Sequence, residues 1–153
     1  MILYIDTILN DKILLALMTK SAESFKIISS KQIMAPRQQS EKLLPSIDSL
    51  LKKNNFTSDK IEQIIVNNHG GSFTSLRIGV ITANALAFAL KIPVVAGVLL
   101  KKDSQPKIEE ELKYRKNEVV RINYLEGSKS FAKYFLVEPF YSSEPKIGQK
   151  KTC

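Results

Sequence analysis

The sequence predicts an α/β domain built on a mixed five-stranded sheet, and three observations carry that expectation. Short apolar runs ending in turn residues recur through residues 1–100. Two intervening stretches carry apolar residues at helical spacing. The resulting order, β-β-β-α-β-α-β, is a meander followed by crossovers, which needs both antiparallel and parallel strand neighbours.

The elements follow in turn. Ile2-Leu3-Tyr4-Ile5, ending in Asp6-Thr7, reads as a strand buried on both faces. After the turn signal Asn10-Asp11, Lys12 to Met18 reads as its antiparallel partner. Phe25 to Ile28 reads as a short third strand near an edge. Leu43, Leu44, Ile47, Leu50 and Leu51 then build one stripe of a helix, with Ser40 as its expected N-cap, Glu41 in the first turn and Lys52 and Lys53 in the last. Pro45 removes a backbone donor, so this helix is expected to start late or bend there. Ile61 to Asn67 reads as a fourth strand, broken by His69-Gly70-Gly71. A second helix runs from about Ser72 to Leu90, close to 30 Å at about 1.5 Å per residue. It is rich in small residues, including Gly79, Ala83, Ala85, Ala87 and Ala89. Ile92-Pro93 ends it, and Val94 to Val98 reads as the fifth strand.

Beyond residue 100 the composition shifts. Ile108 to Lys116 reads as a short charged helix, Val119 to Tyr124 and Phe131 to Val137 as strands, and Pro139 to Cys153 as an extended basic tail. The expected organisation is therefore a domain over 1–100 and a reduced C-terminal extension over 101–153.

With 44% hydrophobic residues, the 153-residue chain can bury a core as one compact unit. No apolar run approaches the roughly 20 residues that span a bilayer, and the start lacks a basic segment before Asp6, so the expected location is cytoplasmic and off the membrane. The one cysteine, Cys153, allows no internal disulfide and no cysteine zinc cluster. The formal charge of +8 favours anionic partners such as nucleic acid. Lys146, Lys150 and Lys151 in the tail are the candidate RNA contacts, against a reading as solvated surface.

Catalytic patterns are mostly missing. Gly70-Gly71-Ser72 sits where a phosphate cradle could, between a strand and a helix N-terminus. It fits neither GxxxxGK(S/T) nor GxGxxG, so a tight turn requiring glycine torsions is favoured. Asp6-Thr7 occupies the place of an acid in an ATP-binding loop, but Ile8-Leu9 follows where a glycine would be needed, which favours an acid capping a turn. His69 is the sole histidine, which rules out a helical HxxxH metal pair and leaves a His69–Ser72 nucleophile without a third group. Arg77, among apolar neighbours, is read either as an ion-pair or partner contact or as a surface arginine packed along its stem.

Four ordered segments together resemble one family, TsaB (YeaZ). They are Ile2 through Ile8, the helix Gln39-Ser40-Glu41-Lys42-Leu43-Leu44-Pro45-Ser46-Ile47-Asp48-Ser49-Leu50-Leu51, the segment from His69 through Gly79, and Lys91-Ile92-Pro93-Val94-Val95-Ala96-Gly97-Val98. The matching motif residues are Asp6, Thr7, Gly71, Ser72, Phe73, Thr74, Leu76, Arg77, Ile78 and Gly79. His69, Gly70 and Ser75 depart from the family's Gly, Pro and Gly, and Gln39 from its His. Val137 to Pro145 is similar to the family's closing segment.

The resemblance implies an ASKHA-type (actin, Hsp70, ribonuclease H-like) fold without a working nucleotide site and without cofactors. It implies a non-catalytic subunit that pairs with a TsaD-like enzyme, alongside a TsaE-like protein. That assembly threonylcarbamoylates the adenosine beside the anticodon of ANN-reading tRNAs. It also implies a partner surface on the two helices, here Leu43, Leu44, Ile47, Leu51, Phe73, Leu76, Arg77 and Val80, through which the chain would pair with TsaD or with a second copy of itself. The alternatives are an ATP-dependent or peptidase-like enzyme of the same fold, and a stand-alone basic RNA-binding module.

Overall fold

The structure, a computed structural model, describes residues 1–9, 11–21, 24–101, 119–124, 128–131 and 134–141. Strands β1 (Ile2–Asp6), β2 (Lys12–Ser21) and β3 (Ser24–Met34) form the antiparallel meander. Helix α1 (Gln39–Lys53), β4 (Gln63–Val66), α2 (Phe73–Leu90) and β5 (Val94–Lys101) follow, with β4 parallel to both β1 and β5. These five strands make the expected mixed sheet, in the order β3-β2-β1-β4-β5. A sixth strand, β6 (Val119–Tyr124), runs antiparallel to β5 and meets β3 at Phe25 and Lys26, which closes the sheet into a barrel. A separate hairpin joins β7 (Ser128–Phe131) to β8 (Tyr134–Val137). The expected charged helix over 108–116 and the basic tail beyond residue 141 lie outside the described residues.

Alternation along the inner strands explains why they read as continuous apolar runs. Leu3 and Ile5 of β1, Ile13, Leu15 and Leu17 of β2, and Ile64 and Val66 of β4 face the helices. Ile2 and Tyr4, Leu14, Ala16 and Met18, and Ile65 face the opposite side and form a second cluster with Phe25, Ile27 and Leu99. Both faces are buried, so neither shows a polar alternation.

Three expectations are corrected. The third strand is neither short nor at an edge: it runs from Ser24 to Met34, with β2 on one side and β6 on the other. Its second half carries Ser29, Ser30, Lys31 and Gln32, so register with β2 rather than apolar burial defines it. The first helix starts at Gln39, six residues ahead of Pro45, and runs through it. Ser40 is inside the helix, and the preceding Gln38 makes no side-chain capping bond. The second helix is 18 residues long and apolar enough, by length and composition, to cross a membrane. Its place is that of a crossover helix between β4 and β5, with Leu76, Gly79, Val80, Ala83 and Ala87 buried.

The residues expected to form a partner surface on the two helices divide by burial. Leu43, Ile47, Leu51, Leu76 and Val80 are 0–5% exposed and belong to the chain's own core. Their side chains are already packed between helix and sheet. Leu44 is 51% exposed, and Ile81 and Phe88, not singled out by the stripes, are each 63% exposed.

Adjacent residues on a helix point about 100° apart, so Leu43 and Leu44 test this division. Leu43→Ala should lower unfolding stability by about 2–5 kcal/mol, and Leu44→Ala should change it by less than roughly 0.5 kcal/mol. Urea denaturation of the two variants measures the difference.

Candidate functional site

The family-like motif residues gather where β1 and β4 end and α2 begins. Ser72 caps α2: its Oγ accepts the Ser75 backbone N–H at 3.1 Å and donates to Ser75 Oγ at 2.8 Å. This cap satisfies one of the orphan donors of the first turn. Thr7, at the end of β1, donates its hydroxyl to the Ser75 carbonyl at 2.6 Å. That bond ties the strand end to the helix start.

Two glycines permit the approach. Gly71 has φ +70°, and a Cβ there would run into the backbone of Ile8. Gly79, one turn into α2, lies directly over the Thr7 side chain, whose Oγ1 occupies the space of a Cβ. The glycine pair is thus a tight turn, with Gly70 and Gly71 both at positive φ and the Cβ side of Gly71 filled by the backbone of Ile8.

Gln39 secures the other edge of this seam. Buried at the start of α1, its Nε2 donates to the Thr7 carbonyl at 3.1 Å and to the Lys12 carbonyl at 3.0 Å, with Leu9 O at 3.4 Å. A glutamine where the resembled family carries histidine therefore holds the β1–β2 loop through its amide.

Asp6 is turned inward. Its Oδ1 accepts the Ile8 N–H at 2.9 Å, and its Oδ2 accepts the Asn67 amide at 3.0 Å and the Tyr4 hydroxyl at 3.1 Å. Burial raises its carboxyl above the usual range, and the bonds from Asn67, Ile8 and Tyr4 pull partly back. Its two oxygens are thus engaged by three protein donors.

The site is roofed by the end of β8 and the segment after it. Asn84, the lone amide on apolar α2, donates to the Val137 carbonyl at 2.8 Å and accepts its N–H at 3.0 Å. Asn68 donates to the Glu138 carbonyl at 2.8 Å, and its own carbonyl accepts the Phe140 N–H at 2.8 Å. His69 stacks on Phe140 with ring centroids 4.4 Å apart, and its Nδ1 lies 2.6 Å from Asn68 Oδ1. Phe73 and Tyr141 lie 4.5 Å apart, and Arg77 Nε donates to the Tyr141 hydroxyl at 2.8 Å. Ser72 bonds to Ser75 and not to His69, so the two form no nucleophile–base pair.

The structure therefore brings Asp6, Thr7, Gly71, Ser72, Phe73, Arg77 and Gly79 to one seam. Thr74 stands exposed on the first turn and Ile78 is half-buried beside the core. Lys146, Lys150 and Lys151 lie outside the described residues. Sequence reading passed over Gln39's role, Asn67, Asn68 and Asn84. The signal for Asn84 was available, since an amide alone on an apolar helix must find a partner. The pairing of Arg77 with Tyr141, 64 residues apart, left no local signal.

The family model described as TsaD, tRNA N6-adenosine threonylcarbamoyltransferase, matches residues 26–98. A tRNA N6-adenosine threonylcarbamoyltransferase of Brachyspira hyodysenteriae is 41% identical over 63 residues, covering 41% of this chain and 18% of that protein. The tRNA threonylcarbamoyladenosine biosynthesis protein TsaB of Haemophilus influenzae is 31% identical over 62 residues, 40% of this chain and 26% of that protein. Among solved structures, a Pseudomonas aeruginosa protein described as similar to peptidase YeaZ superposes with a TM-score of 0.56 at 28% identity, covering 65% of this chain and 44% of that one. YeaZ from Pseudomonas aeruginosa gives 0.54 at 26% identity, covering 65% and 43%. The chain thus matches about a fifth to a quarter of its sequence relatives' length and under half of its structural ones. It is TsaB/YeaZ-like, and its fold is of the ASKHA type.

Two variants test the seam. Gly71→Ala should destabilise by about 3 kcal/mol, combining a left-handed alanine with a backbone collision, while Gly70→Ala, whose Cβ would meet Ile8 Cδ1 at 3.7 Å, should lose about 1 kcal/mol. Thermal unfolding ranks them. Asn67→Asp sets a second buried carboxyl against Asp6 and should cost roughly 3–5 kcal/mol near neutral pH. Because Asp6's folded pKa is raised, the native state takes up a proton before the unfolded chain does. Stability from this group is therefore lower above its folded pKa and rises as pH falls through it toward the unfolded value. The gap between variant and wild type should narrow on acidification, as read from urea midpoints across pH; a constant gap would contradict the Asp6–Asn67 contact.

Proposed function

We propose that this TsaB/YeaZ-like chain is a non-catalytic scaffold subunit that pairs with a TsaD-like enzyme to make threonylcarbamoyladenosine in tRNA in the cytoplasm. A TsaE-like protein acts in the same complex, and tRNA binds the assembly. The carrying observation is α2. A crossover helix normally turns a polar face to water. Here Ile81, Ala85 and Phe88 form an exposed stripe along it, and Leu44 stands exposed on α1, which packs beside it. Exposed apolar stripes of this kind mark protein contacts.

The engagement of Asp6 supports a scaffold role. An acid that positions metal and phosphate offers an oxygen to them, whereas Asp6 is buried and spends three of its acceptor sites on Ile8, Asn67 and Tyr4. The single histidine supports it too, because no second imidazole exists to complete a histidine metal pair.

The match of residues 26–98 to the TsaD family favours a second reading, in which the chain itself takes part in transfer. A threonylcarbamoyl-transfer assay on tRNA separates the two. The scaffold reading expects activity only when the cognate TsaD-like protein is added, and activity from the chain alone would replace it with the second.

Pairing is tested by sizing the chain with that protein. Wild type should co-elute at micromolar concentration, and Ile81→Asp should weaken the pair by at least about tenfold while leaving the unfolding temperature unchanged. Leu76→Asp should instead unfold the chain, because Leu76 is 2% exposed. A wild-type chain that stays unbound, or an Ile81→Asp chain that binds equally well, would overturn the proposal.

A further inference from the structure

Arg77 is the one charged residue of α2, and it is exposed yet held in place. Its Nε donates to the Tyr141 hydroxyl at 2.8 Å. Its guanidinium carbon lies 3.9 Å from the centroid of the Phe73 ring and 5.7 Å from that of Tyr141. A solvated arginine samples many rotamers; a hydrogen bond and a cation–π stack together restrict this one. Its two terminal amino groups have no acceptor among the described residues. One turn further along the helix begins the exposed stripe of Ile81, Ala85 and Phe88.

We propose that Arg77, fixed by Phe73 and Tyr141, is a carboxylate-recognising anchor at the head of the partner surface. The docking protein places an Asp or Glu against the two amino groups, next to an apolar stretch that covers Ile81, Ala85 and Phe88. This rests on the partner reading above and adds the chemistry the partner must carry. Charge complementarity selects it. Helix α2 contains no acid of its own, and the planar guanidinium fork matches a carboxylate bidentately. Holding the fork in advance reduces the side-chain ordering lost on binding. An RNA phosphate fits this surface less well, because the positions following Arg77 are apolar rather than cationic. A second copy of the chain is the competing occupant: its α2 is equally free of acids and Asp48 on its α1 is held by Lys52 at 2.7 Å, which leaves the exposed Glu41 as the one acid its helices could offer. Tyr141 is a positioning residue, acting on the partner through Arg77.

The experiment is calorimetric titration of the full chain with the cognate TsaD-like protein at low and high salt. Wild type, Arg77→Ala, Arg77→Lys, Tyr141→Phe and Ile81→Asp are compared, with thermal unfolding as the folding control. Arg77→Ala should weaken binding roughly thirtyfold and flatten its salt dependence. Arg77→Lys should restore the salt dependence but only part of the affinity, since an ammonium lacks the fork. Tyr141→Phe should weaken binding a few-fold by removing one tether. If Arg77→Ala binds like wild type while Ile81→Asp fails, the anchor is overturned and the partner surface stands. If wild type does not bind, the partner reading falls and the anchor with it. If Arg77→Ala abolishes self-association and leaves the heterologous pair intact, the occupant is a second copy and the proposal is wrong.

Discussion

The close approach of α2 to the end of β1 is the constraint on which the rest of this structure depends. It requires the absence of two side chains. Gly71 leaves room for the backbone of Ile8, and Gly79 leaves room for Thr7. With those spaces open, the Thr7 hydroxyl reaches the Ser75 carbonyl and joins sheet to helix at 2.6 Å. Leu76, Val80, Ala83 and Ala87 can then pack on the sheet, and the opposite face, with Ile81 and Phe88, is turned outward. The glycines of this segment serve packing, and their chemistry is that of missing atoms.

Around this seam, side-chain amides replace secondary structure as the source of backbone partners. Gln39 satisfies carbonyls of the β1–β2 loop, Asn84 pairs with both polar groups of Val137, and the Asn68 side chain holds the Glu138 carbonyl while its backbone carbonyl accepts the Phe140 N–H. Where the chain leaves the β7–β8 ladder at Val137, its peptide groups must find partners on α2 and the β4–α2 loop instead. The consequence reaches the surface. The same segment carries Tyr141 to Arg77, so a residue near the end of the described chain sets the geometry of the first turns of α2. Part of the chain beyond β5 is thereby built into the exposed face rather than standing apart from it.

Much of the fold was legible in the sequence because its inner strands are buried on both sides. Ile2–Ile5 and Ile64–Val66 announce themselves as unbroken apolar runs, and Ser72 announces the start of α2 as a cap. The length of β3 was hidden because its polar half is held by register alone. The helical stripes were legible as apolar, but spacing does not say which side meets the sheet. Leu43 and Leu76 went inward, and Ile81 and Phe88, which the stripes passed over, went outward. The candidate site was half legible. Its motif residues from Asp6 to Gly79 do converge, but Asn67, Asn84 and Tyr141 enter through contacts across the chain that no local pattern encodes.

The outward face of α2 and the inward face of Asp6 are the two observations behind the proposed scaffold role, in which α2 offers a surface to a protein. Backbone amide chemical shifts of the isotopically labelled chain, followed while the cognate TsaD-like protein is added, test it most directly. The account predicts perturbations along Arg77, Ile81, Ala85 and Phe88, with the strand ends at Asp6 and Asn67 little changed. Perturbations centred on Asp6 and Asn67, with the outer face of α2 unmoved, would contradict it.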